Sequence, residues 1–284
     1  MKIKWHGEES SRMRINEKKN VTYLTYPSFE KIPDVVHGFS TREGGVSQGI
    51  FASMNLSFSR GDEEQAVMEN YHRLADAVGF RVEDMVASDQ IHTTNVRVVT
   101  EEDRGNGIVK PKAFHDVDGM ITNVPGIVLC TYYADCVPLY FVDPIHHAVG
   151  LSHSGWRGTV GKIGKVTVQK MEQEFGTRPE QLLAAIGPSI CQECYEVSED
   201  VIQQFRSAFP ENDWEELFYK KENGKYQLDL WKANRLVFQE AGIPAENISM
   251  PGICTCCNPQ FLFSHRASHG KRGNLAAFLG IRRK

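Results

Sequence analysis

Three apolar runs follow one another between residues 126 and 152, and they constrain the fold more than any other part of the chain: GIVLCTYYA, VPLYFV and HAVGLS. Each has the length of a buried β-strand, and Asp, Pro and Gly residues typical of turns separate them. The runs NVRVVT and GMITNV, upstream of them, are also rich in the β-branched residues that favour strands. We therefore expect these five segments to form the core sheet of the protein.

Helices are indicated by capping residues and by apolar side chains with a helical period. The clearest helix begins at Asp62, a candidate N-cap with Gln65 completing a capping box, and ends at Gly79. Ser198 and Asp229 are candidate N-caps of two later helices. The other predicted elements are a helix over 159–175, a strand over 182–187 and a hairpin around Asn223 and Gly224.

This order of elements is typical of a mixed α/β domain. No linker, repeat or low-complexity tract interrupts it, so we predict one domain over 21–284. A polar segment over 1–20 precedes it, either as a loosely held arm or as an edge strand. A chain of 284 residues buries enough surface to form a core without a metal ion or a disulfide. Any bound metal is therefore expected to serve chemistry.

Charge and cysteine content narrow the functional classes. The 32 Lys and Arg residues against 36 Asp and Glu give a formal net charge of -4, which argues against a nucleic-acid partner. No apolar run is long enough for a signal peptide or a membrane span, so we expect a soluble, cytoplasmic protein. Seven cysteines in such a chain indicate free thiols or metal ligands more than disulfides.

Reactive residues lie where predicted strands meet loops. Cys136 stands between two strands, and His153 follows a third, directly before a glycine-flanked turn. His92 lies in a polar loop just before another strand. Two imidazoles and a thiolate suit zinc, and three protein ligands leave a fourth position for the water of a catalytic site. The same residues also fit a metal-independent hydrolase, with Cys136 as nucleophile and His153 as base, or a buried thiol packed beside a hydrogen-bonded imidazole.

Two arginines are candidates for binding phosphate or another anion. Arg157 lies in HSGWRGT, where a strand passes into a predicted helix whose first N–H groups are unpaired. Arg42 lies in the glycine-rich loop STREGGVSQG. The structural alternative for Arg157 is a helix cap or a pair with a surface carboxylate.

The remaining cysteines are given structural roles. Cys191 and Cys194 have the spacing of redox motifs and of half a zinc site, but we expect no second CxxC pair to join them. Cys254, Cys256 and Cys257 crowd one turn, where packing or backbone-turn roles are favoured over a soft-metal site.

With these motifs, the chain resembles the YfiH/YlmD family, whose members are named both polyphenol oxidase (laccase domain) and purine nucleoside phosphorylase. The resemblance extends from about residue 35 to 281, and ADCVP followed by HSGWRGT is its strongest pair. Other shared segments are HGFSTREGGVS, ASMNLS, QIH, AAIGPSICQECYEV, LDLWKANR and FSHR. The chain departs from the usual pattern near its end, where His265 replaces a common Tyr and ASHGKRGN replaces a TGR-type run.

The resemblance implies a zinc ion held by His92, Cys136 and His153. It also implies phosphorolysis of adenosine, inosine, guanosine and methylthioadenosine, with deamination of adenosine in the same site, so the expected partners are purine nucleosides and phosphate. The implied fold is a layered α+β arrangement of mixed sheets packed together with helices outside, as in cysteine-hydrolase and toxin-deamidase domains. Whether the chain forms a homodimer stays open.

Deamination also needs a carboxyl group that moves protons between the attacking water and the leaving ammonia. Asp118, in HDVDGMIT, and Asp135, beside Cys136, are the candidates, and we favour Asp118. Alternatively, either carboxylate orients a metal ligand.

Two further functions stay open on the residues alone. A conventional multicopper oxidase needs about ten histidine ligands and repeated His-x-His pairs, whereas this chain has ten His in all and no His-x-His. Phenol oxidation would therefore require copper in place of zinc at the three-residue site. A non-catalytic binder of purines or of a partner protein would use the same pocket without turnover.

Overall fold

Two six-stranded mixed sheets pack face to face at the centre of the computed structural model, which describes residues 2–7 and 12–283. In chain order, the strands are β1 (Arg14–Lys18), β2 (Val21–Thr25), β3 (Val35–Ser40), β4 (Met85–Ala87), β5 (Val96–Val98), β6 (Gly119–Thr122), β7 (Val128–Tyr133), β8 (Val137–Asp143), β9 (Ala148–Ser154), β10 (Leu183–Ile186), β11 (Glu196–Val197), β12 (Phe218–Lys220), β13 (Tyr226–Leu228), β14 (Ile248–Ser249) and β15 (Leu275–Ile281). The helices are α1 (Pro27–Glu30), α2 (Glu64–Val78), α3 (Trp156–Val160), α4 (Ile163–Phe175), α5 (Glu199–Ala208), α6 (Trp214–Leu217) and α7 (Leu230–Glu240).

The first sheet has the strand order β1-β2-β3-β15-β7-β4, and the second has the order β14-β10-β8-β9-β6-β5. Most neighbours are antiparallel, whereas β4 with β7, β5 with β6 and β10 with β14 are parallel pairs. A small third sheet, β11-β13-β12, contains the predicted hairpin around Asn223 and Gly224. The fold is thus of the predicted mixed α/β class, while the likeness to cysteine-hydrolase and toxin-deamidase domains stays a prediction.

Side chains on each central strand alternate between two apolar layers. On β8, Tyr140 and Val142 belong to the layer between the sheets, whereas Leu139 and Phe141 face the helices. Helices α4, α5 and α7 cover the outer face of the second sheet, and α2 covers the outer face of the first. The chain therefore forms four layers, stabilised by apolar burial at about 25 cal/mol per Å².

The prediction of a single core sheet is wrong. Strand β7 joins the first sheet, whereas β8 and β9 pair with each other in the second. The three apolar runs look alike because each strand is buried on both faces, so the pattern does not show which sheet a strand joins. The chain crosses between the sheets at 134–136, and this crossover places Cys136 at their junction.

The helix predicted between Asp62 and Gly79 is confirmed as α2, except for its cap. It ends at Gly79, whose φ of 94° lies in the left-handed region that favours glycine. The carboxylate of Asp62 instead accepts the N–H of Glu63 and the side-chain amide of Asn55. The predicted capping box is therefore wrong, because the helix starts later and Asp62 holds the preceding loop.

Two later helices also differ from prediction in detail. The helix predicted over 159–175 is broken at Lys162, with a φ of 56°, into α3 and α4. Asp229 caps α7 as expected, by accepting the N–H of Lys232. Ser198 precedes α5 as expected, but its side chain makes no capping hydrogen bond.

Strand β1 lies within the segment predicted as a polar arm. It pairs antiparallel with β2 at the edge of the first sheet, which agrees with the edge-strand alternative for these residues. The division into an arm over 1–20 and one domain over 21–284 stays a prediction. Within the part of the chain that the structure describes, none of the helices has the length and apolar character needed to cross a membrane.

Candidate metal centre

Three elements bring His92, Cys136 and His153 to one point; we call these residues the His-Cys-His cluster. His92 lies in the loop between β4 and β5, Cys136 in the crossover before β8, and His153 on β9. Their ligand atoms all lie within 4.8 Å of one another, and Nε2 of His92 lies 3.9 Å from Sγ of Cys136. The structure thus brings together the three residues proposed from the sequence as metal ligands.

The register of the second sheet explains this meeting. Strands β8 and β9 are antiparallel, with Pro138 opposite His153, so Cys136, just before β8, lies beside the imidazole. Strand β6 flanks β9 on its other side. Asp118 directly precedes β6, and its carbonyl accepts the N–H of His153 at 2.7 Å. The sheet therefore sets a thiol and a carboxylate on either side of one histidine.

The carboxylate of Asp118 is fully buried and binds both histidine segments. Its Oδ1 lies 2.8 Å from Nδ1 of His153. It also accepts the backbone N–H groups of Ile91, His92 and Thr93 at 3.1, 3.0 and 2.8 Å. Because Nδ1 of His153 donates to Asp118, Nε2 of the same ring is available to a metal ion.

Backbone conformation around the cluster is unusual. His92 and Asp135 have φ values of 68° and 85°, in a region that few residues other than glycine adopt. Such strain is concentrated at functional sites. Gly155 allows His92 and Cys136 to lie close to the backbone, because a Cβ at this position would lie 2.8 Å from Cδ2 of His92 and 3.2 Å from Sγ of Cys136. A side chain at 155 would therefore push the ligands apart.

The ionisable groups of the cluster shift one another's pKa values. Burial opposes ionisation of Cys136, but the charge of His153 and hydrogen bonds to both histidines outweigh it and lower the pKa of Cys136 to about 6. Burial also opposes the charged form of His153, yet Cys136 and Asp118 raise the pKa of that imidazole to about 9. At neutral pH the cluster therefore pairs a thiolate with an imidazolium. The thiolate is the form of cysteine that binds metal or acts as a nucleophile, and metal binding at His153 would release the Nε2 proton of that ring.

The donor set fits zinc. One thiolate and two imidazoles are common ligands of catalytic zinc. A carboxylate orients one of the imidazoles, as is usual for histidines that bind a metal. Three ligands from this chain would leave a further position for water, and all three residues line one cavity.

That cavity has a volume of about 380 Å³, within the usual range of small-molecule sites. Arg60, Lys112 and Arg272 line it. Lys112 pairs with Asp89, whereas Arg60 and Arg272 form no ion pair with a carboxylate in the described residues. Burial, and then the charge of Arg60, lower the pKa of Arg272 to about 10. Two neighbouring cations thus face the cavity without a counter-ion from the described chain.

A second cavity, of about 90 Å³, shares His92 and Cys136 with the first. Its walls include Trp156, Tyr195 and Arg157. The Arg157 guanidinium lies 4.3 Å from the centroid of the Trp156 ring. The structure therefore places Arg157 beside the cluster as expected, although α3 is only five residues long.

Arg42 is not brought to the cluster. Its guanidinium donates to the carbonyl oxygens of Ala52 and Pro259 at 2.9 and 2.6 Å, and it lies 4.6 Å from the centroid of the Phe263 ring. These contacts hold two loops together, and Arg42 lines neither cavity. Arg42 is therefore not placed to bind an anion in either cavity, and a role for it in anion binding stays a prediction.

Asp135 lies beside the cluster but is bound to another segment. Its carboxylate accepts the hydroxyl of Thr255 at 2.6 Å and the N–H of Arg266 at 2.7 Å. The side chain lines the smaller cavity. It therefore joins the crossover that carries Cys136 to the segment before β15.

Sequence reasoning missed Arg60 and Arg272. Each stands in a polar loop directly before a glycine, in FSRG and KRGN. Arg272 comes 212 positions after Arg60 in the sequence. The KRGN segment was noted only as a departure from the family pattern. An Arg-Gly pair in a loop is a weak signal, and only the fold shows that the two arginines face one cavity.

Known proteins are similar to this chain in sequence and in fold over most of their length. Residues 36–282 match the family described as multi-copper polyphenol oxidoreductase laccase. The purine nucleoside phosphorylase YlmD of Bacillus subtilis is 37% identical over 250 residues, which cover 88% of this chain and 89% of that protein. Adenosine deaminase RL5, from an unknown prokaryotic organism, is 37% identical over 259 residues, 90% of this chain and 97% of that protein. The crystal structure of the hypothetical protein YfiH from Bacillus licheniformis is similar with a TM-score of 0.88 and 33% identity, covering 94% of this chain and 99% of that chain.

Proposed function

Because this chain belongs to the multi-copper polyphenol oxidoreductase laccase family, as its resemblance to the YfiH and YlmD proteins predicted, we propose that it is a zinc-dependent purine nucleoside phosphorylase that also deaminates adenosine. The observation that carries the proposal is the His-Cys-His cluster beside a cavity lined by two arginines that form no ion pair within the described residues. Relatives named purine nucleoside phosphorylase and adenosine deaminase support the two reaction classes. The proposed substrates are adenosine, inosine, guanosine and methylthioadenosine, with phosphate.

His92, Cys136 and His153 are the proposed zinc ligands. Zinc bound there would supply a Lewis acid and a water molecule of lowered pKa. The chain itself supplies the thiolate, the imidazole orientation and the open side toward the cavity. Asp118 holds the Nδ1 proton of His153 in place, and Gly155 leaves room for the ligands to approach.

Arg60 and Arg272 are the proposed phosphate ligands. They line the same cavity as the cluster. Burial is the larger cause of the lowered pKa of Arg272, and repulsion by the charge of Arg60 is the second cause. A phosphate ion between them would replace this repulsion with charge-assisted hydrogen bonds. Arg157 is the second candidate because it lines the smaller cavity.

The purine ring is proposed to pack on Phe58. This half-buried ring lines the large cavity and is stacked on Tyr71 at a centroid distance of 5.6 Å. Tyr71 therefore fixes the position of the Phe58 ring, and the purine base is proposed to stack on the side of this ring that lines the cavity. Asn274 lines the same cavity, and its side-chain amide would supply a polar group that orients a ligand.

Asp118 is proposed to orient His153 and not, as the sequence led us to favour, to transfer protons. Five donors occupy its carboxylate, and although burial opposes its ionisation, the hydrogen bonds of His153 and Thr93 lower its pKa to about 2. A proton-transfer group works best with a pKa near the operating pH. Asp135, which lines the smaller cavity, stays the candidate for that role.

A multicopper centre does not fit this chain. Among the groups of potential ligands in the described residues, the His-Cys-His cluster alone contains two histidines, whereas a multicopper oxidase combines several such sites. Copper bound in place of zinc at this cluster would be the source of any phenol oxidation. A metal-free Cys-His hydrolase is the other alternative, favoured by the lowered pKa of Cys136.

Incubation of zinc-loaded protein with adenosine, with and without phosphate, tests the proposal. Chromatography should resolve adenine formed only with phosphate and inosine formed in its absence. Cys136→Ala should abolish both products, while Cys130→Ala, at a buried thiol outside the cluster, should leave them unchanged. Unchanged adenosine in both reactions contradicts the proposal, and equal turnover by metal-free protein replaces it with the Cys-His mechanism.

A further inference from the structure

Four cysteines from two distant turns meet outside the site described above. Cys191 precedes the turn at 192–194 and Cys194 ends it, while Cys254 and Cys257 begin and end a second turn. A parallel backbone bridge joins the two segments. Both pairs have CxxC spacing, so the expectation that no second CxxC pair joins the first is wrong. The CxxC spacing of Cys254 and Cys257 is easily overlooked because Cys256 lies between them.

The four sulfur atoms surround a common point. All lie within 4.8 Å of one another, with Sγ of Cys257 3.5 Å from that of Cys194 and 3.9 Å from that of Cys191. All four residues are free cysteines. A tetrahedral zinc ion with Zn–S bonds of about 2.3 Å holds its sulfurs about 3.8 Å apart. An iron–sulfur cluster spreads its cysteines further, because they bind different iron atoms. The spacing therefore suits a single ion.

The surroundings of these sulfurs differ from those of a packed thiol. The N–H groups of Cys191 and Cys257 both donate to Sγ of Cys254, at 3.2 and 3.4 Å. These two main-chain donors, one from each turn, point at the same sulfur atom, so the backbone of both turns is already folded around it. Cys254 is fully buried. Cys254 and the equally buried Cys130 both belong to apolar layers. In the described residues, however, the sulfur of Cys254 accepts two main-chain amides and that of Cys130 accepts none, as in a thiol that only packs.

We propose that Cys191, Cys194, Cys254 and Cys257, the four-cysteine cluster, bind one zinc ion that is separate from the ion at the His-Cys-His cluster. All four positions of this ion are filled by the chain, so the site is closed and structural. It is an exception to the expectation that any metal in a chain of this size serves chemistry. The inference stands independently of the proposed function.

The ion would fix the crossover that carries Cys136. The segment before Cys191 donates the N–H of Ile190 to the carbonyl of Asp135 at 3.0 Å. The second turn donates the hydroxyl of Thr255 to the Asp135 carboxylate at 2.6 Å. Both cysteine turns therefore contact the residue next to Cys136, and an ion that joins them holds this residue from two sides.

Metal analysis of purified full-length protein tests the proposal. Wild type should carry about two zinc ions per chain, and protein with both Cys194→Ser and Cys257→Ser should carry about one and melt at a lower temperature. Cys256→Ser is the matched control, since this neighbouring thiol is outside the cluster, and it should keep about two ions. A folded double variant with the wild-type zinc content would overturn the proposal.

A second measurement does not require the variant with both Cys194→Ser and Cys257→Ser to fold. In metal-depleted Cys136→Ala protein, added Co²⁺ should produce the intense thiolate-to-metal absorption of a tetrahedral sulfur site. Absence of that absorption would overturn the proposal, as would complete loss of zinc from Cys136→Ala protein that keeps its fold.

Discussion

The His-Cys-His cluster and the four-cysteine cluster lie on either side of Asp135, and they use cysteine differently. The first takes its three proposed ligands from a sheet junction and opens on two cavities. The second takes four ligands from two turns, and none of these cysteines lines either cavity. Ligand number separates a site that admits a reactant from a closed one.

The two clusters also differ in the groups that hydrogen-bond to their proposed ligands. A buried carboxylate, Asp118, orients His153 and holds the loop of His92. In the four-cysteine cluster, backbone amides point at Cys254. A carboxylate sets ring orientation and increases ligand basicity, which matters when the metal must activate a reactant. Amides only stabilise thiolate charge, which is enough for a structural ion.

The largest expected effect separates the two clusters by activity. Cys136→Ala should lower kcat/KM for adenosine by about 10³-fold or more, since several kcal/mol of charge stabilisation are lost at about 1.4 kcal/mol per tenfold. Its melting temperature should change little, because the four-cysteine cluster keeps its ion. A large fall in melting temperature with zinc lost from both clusters would break the comparison.

The next effect tests the role of Asp118. Asp118→Asn should weaken zinc binding at the His-Cys-His cluster by about 10 to 100-fold, because the amide cannot accept from His153 and from the loop of His92 together. Titration with a competing chelator measures this affinity. Full zinc affinity with a reduced kcat would instead assign proton transfer to Asp118, the role favoured from the sequence.

A smaller effect distinguishes the arginines of the two cavities. Arg272→Ala should raise the KM for phosphate about tenfold, since a charge-assisted hydrogen bond contributes about 1.5–3 kcal/mol, and should spare deamination by water. Arg157→Ala, at an exposed residue stacked on Trp156, should raise it less. The reverse order would place phosphate in the smaller cavity, and equal loss of both activities would make the arginine structural.

The smallest effect concerns a buried histidine that belongs to neither cluster. His37 accepts the N–H of Tyr26 at 2.8 Å, and burial lowers its pKa to about 3. The unfolded chain takes up a proton below about pH 6.5 and the folded chain does not, so His37 contributes stability above that pH and loses it as the pH falls toward 3. At pH 5.5 the loss should be about 1.4 kcal/mol.

Denaturant unfolding of wild type and His37→Gln between pH 7 and 5 measures this contribution. The variant should have a shallower pH dependence of stability and an unchanged zinc content at both clusters. Equal slopes would show that other groups, the clusters included, set the acid sensitivity.

Local patterns predicted most elements of the fold but not their assembly. The period of α2, the Asp229 cap and the hairpin at Asn223 depend on neighbouring residues, and these predictions are confirmed. The assignment of β7 to the other sheet depends on long-range pairing with β15. Nothing within an apolar run reports which partner it finds.

The candidate sites show the same limit. His92, Cys136 and His153 could be selected because each stands in or beside a loop next to a predicted strand, in a motif that the family shares. The cations at Arg60 and Arg272 are brought together by the fold alone. The four-cysteine cluster could have been found by comparing the two CxxC spacings, since distant pairs with equal spacing are typical of zinc sites.

Stepwise metal removal tests the central claim, that the open cluster performs catalysis and the closed one supports structure. Adenosine turnover and melting temperature should be followed together as a chelator is added and zinc is then returned. We expect turnover to disappear with the first ion lost, at an unchanged melting temperature, and to return only with the last zinc ion restored, after the melting temperature has recovered. Turnover that persists until the melting temperature falls would contradict this account.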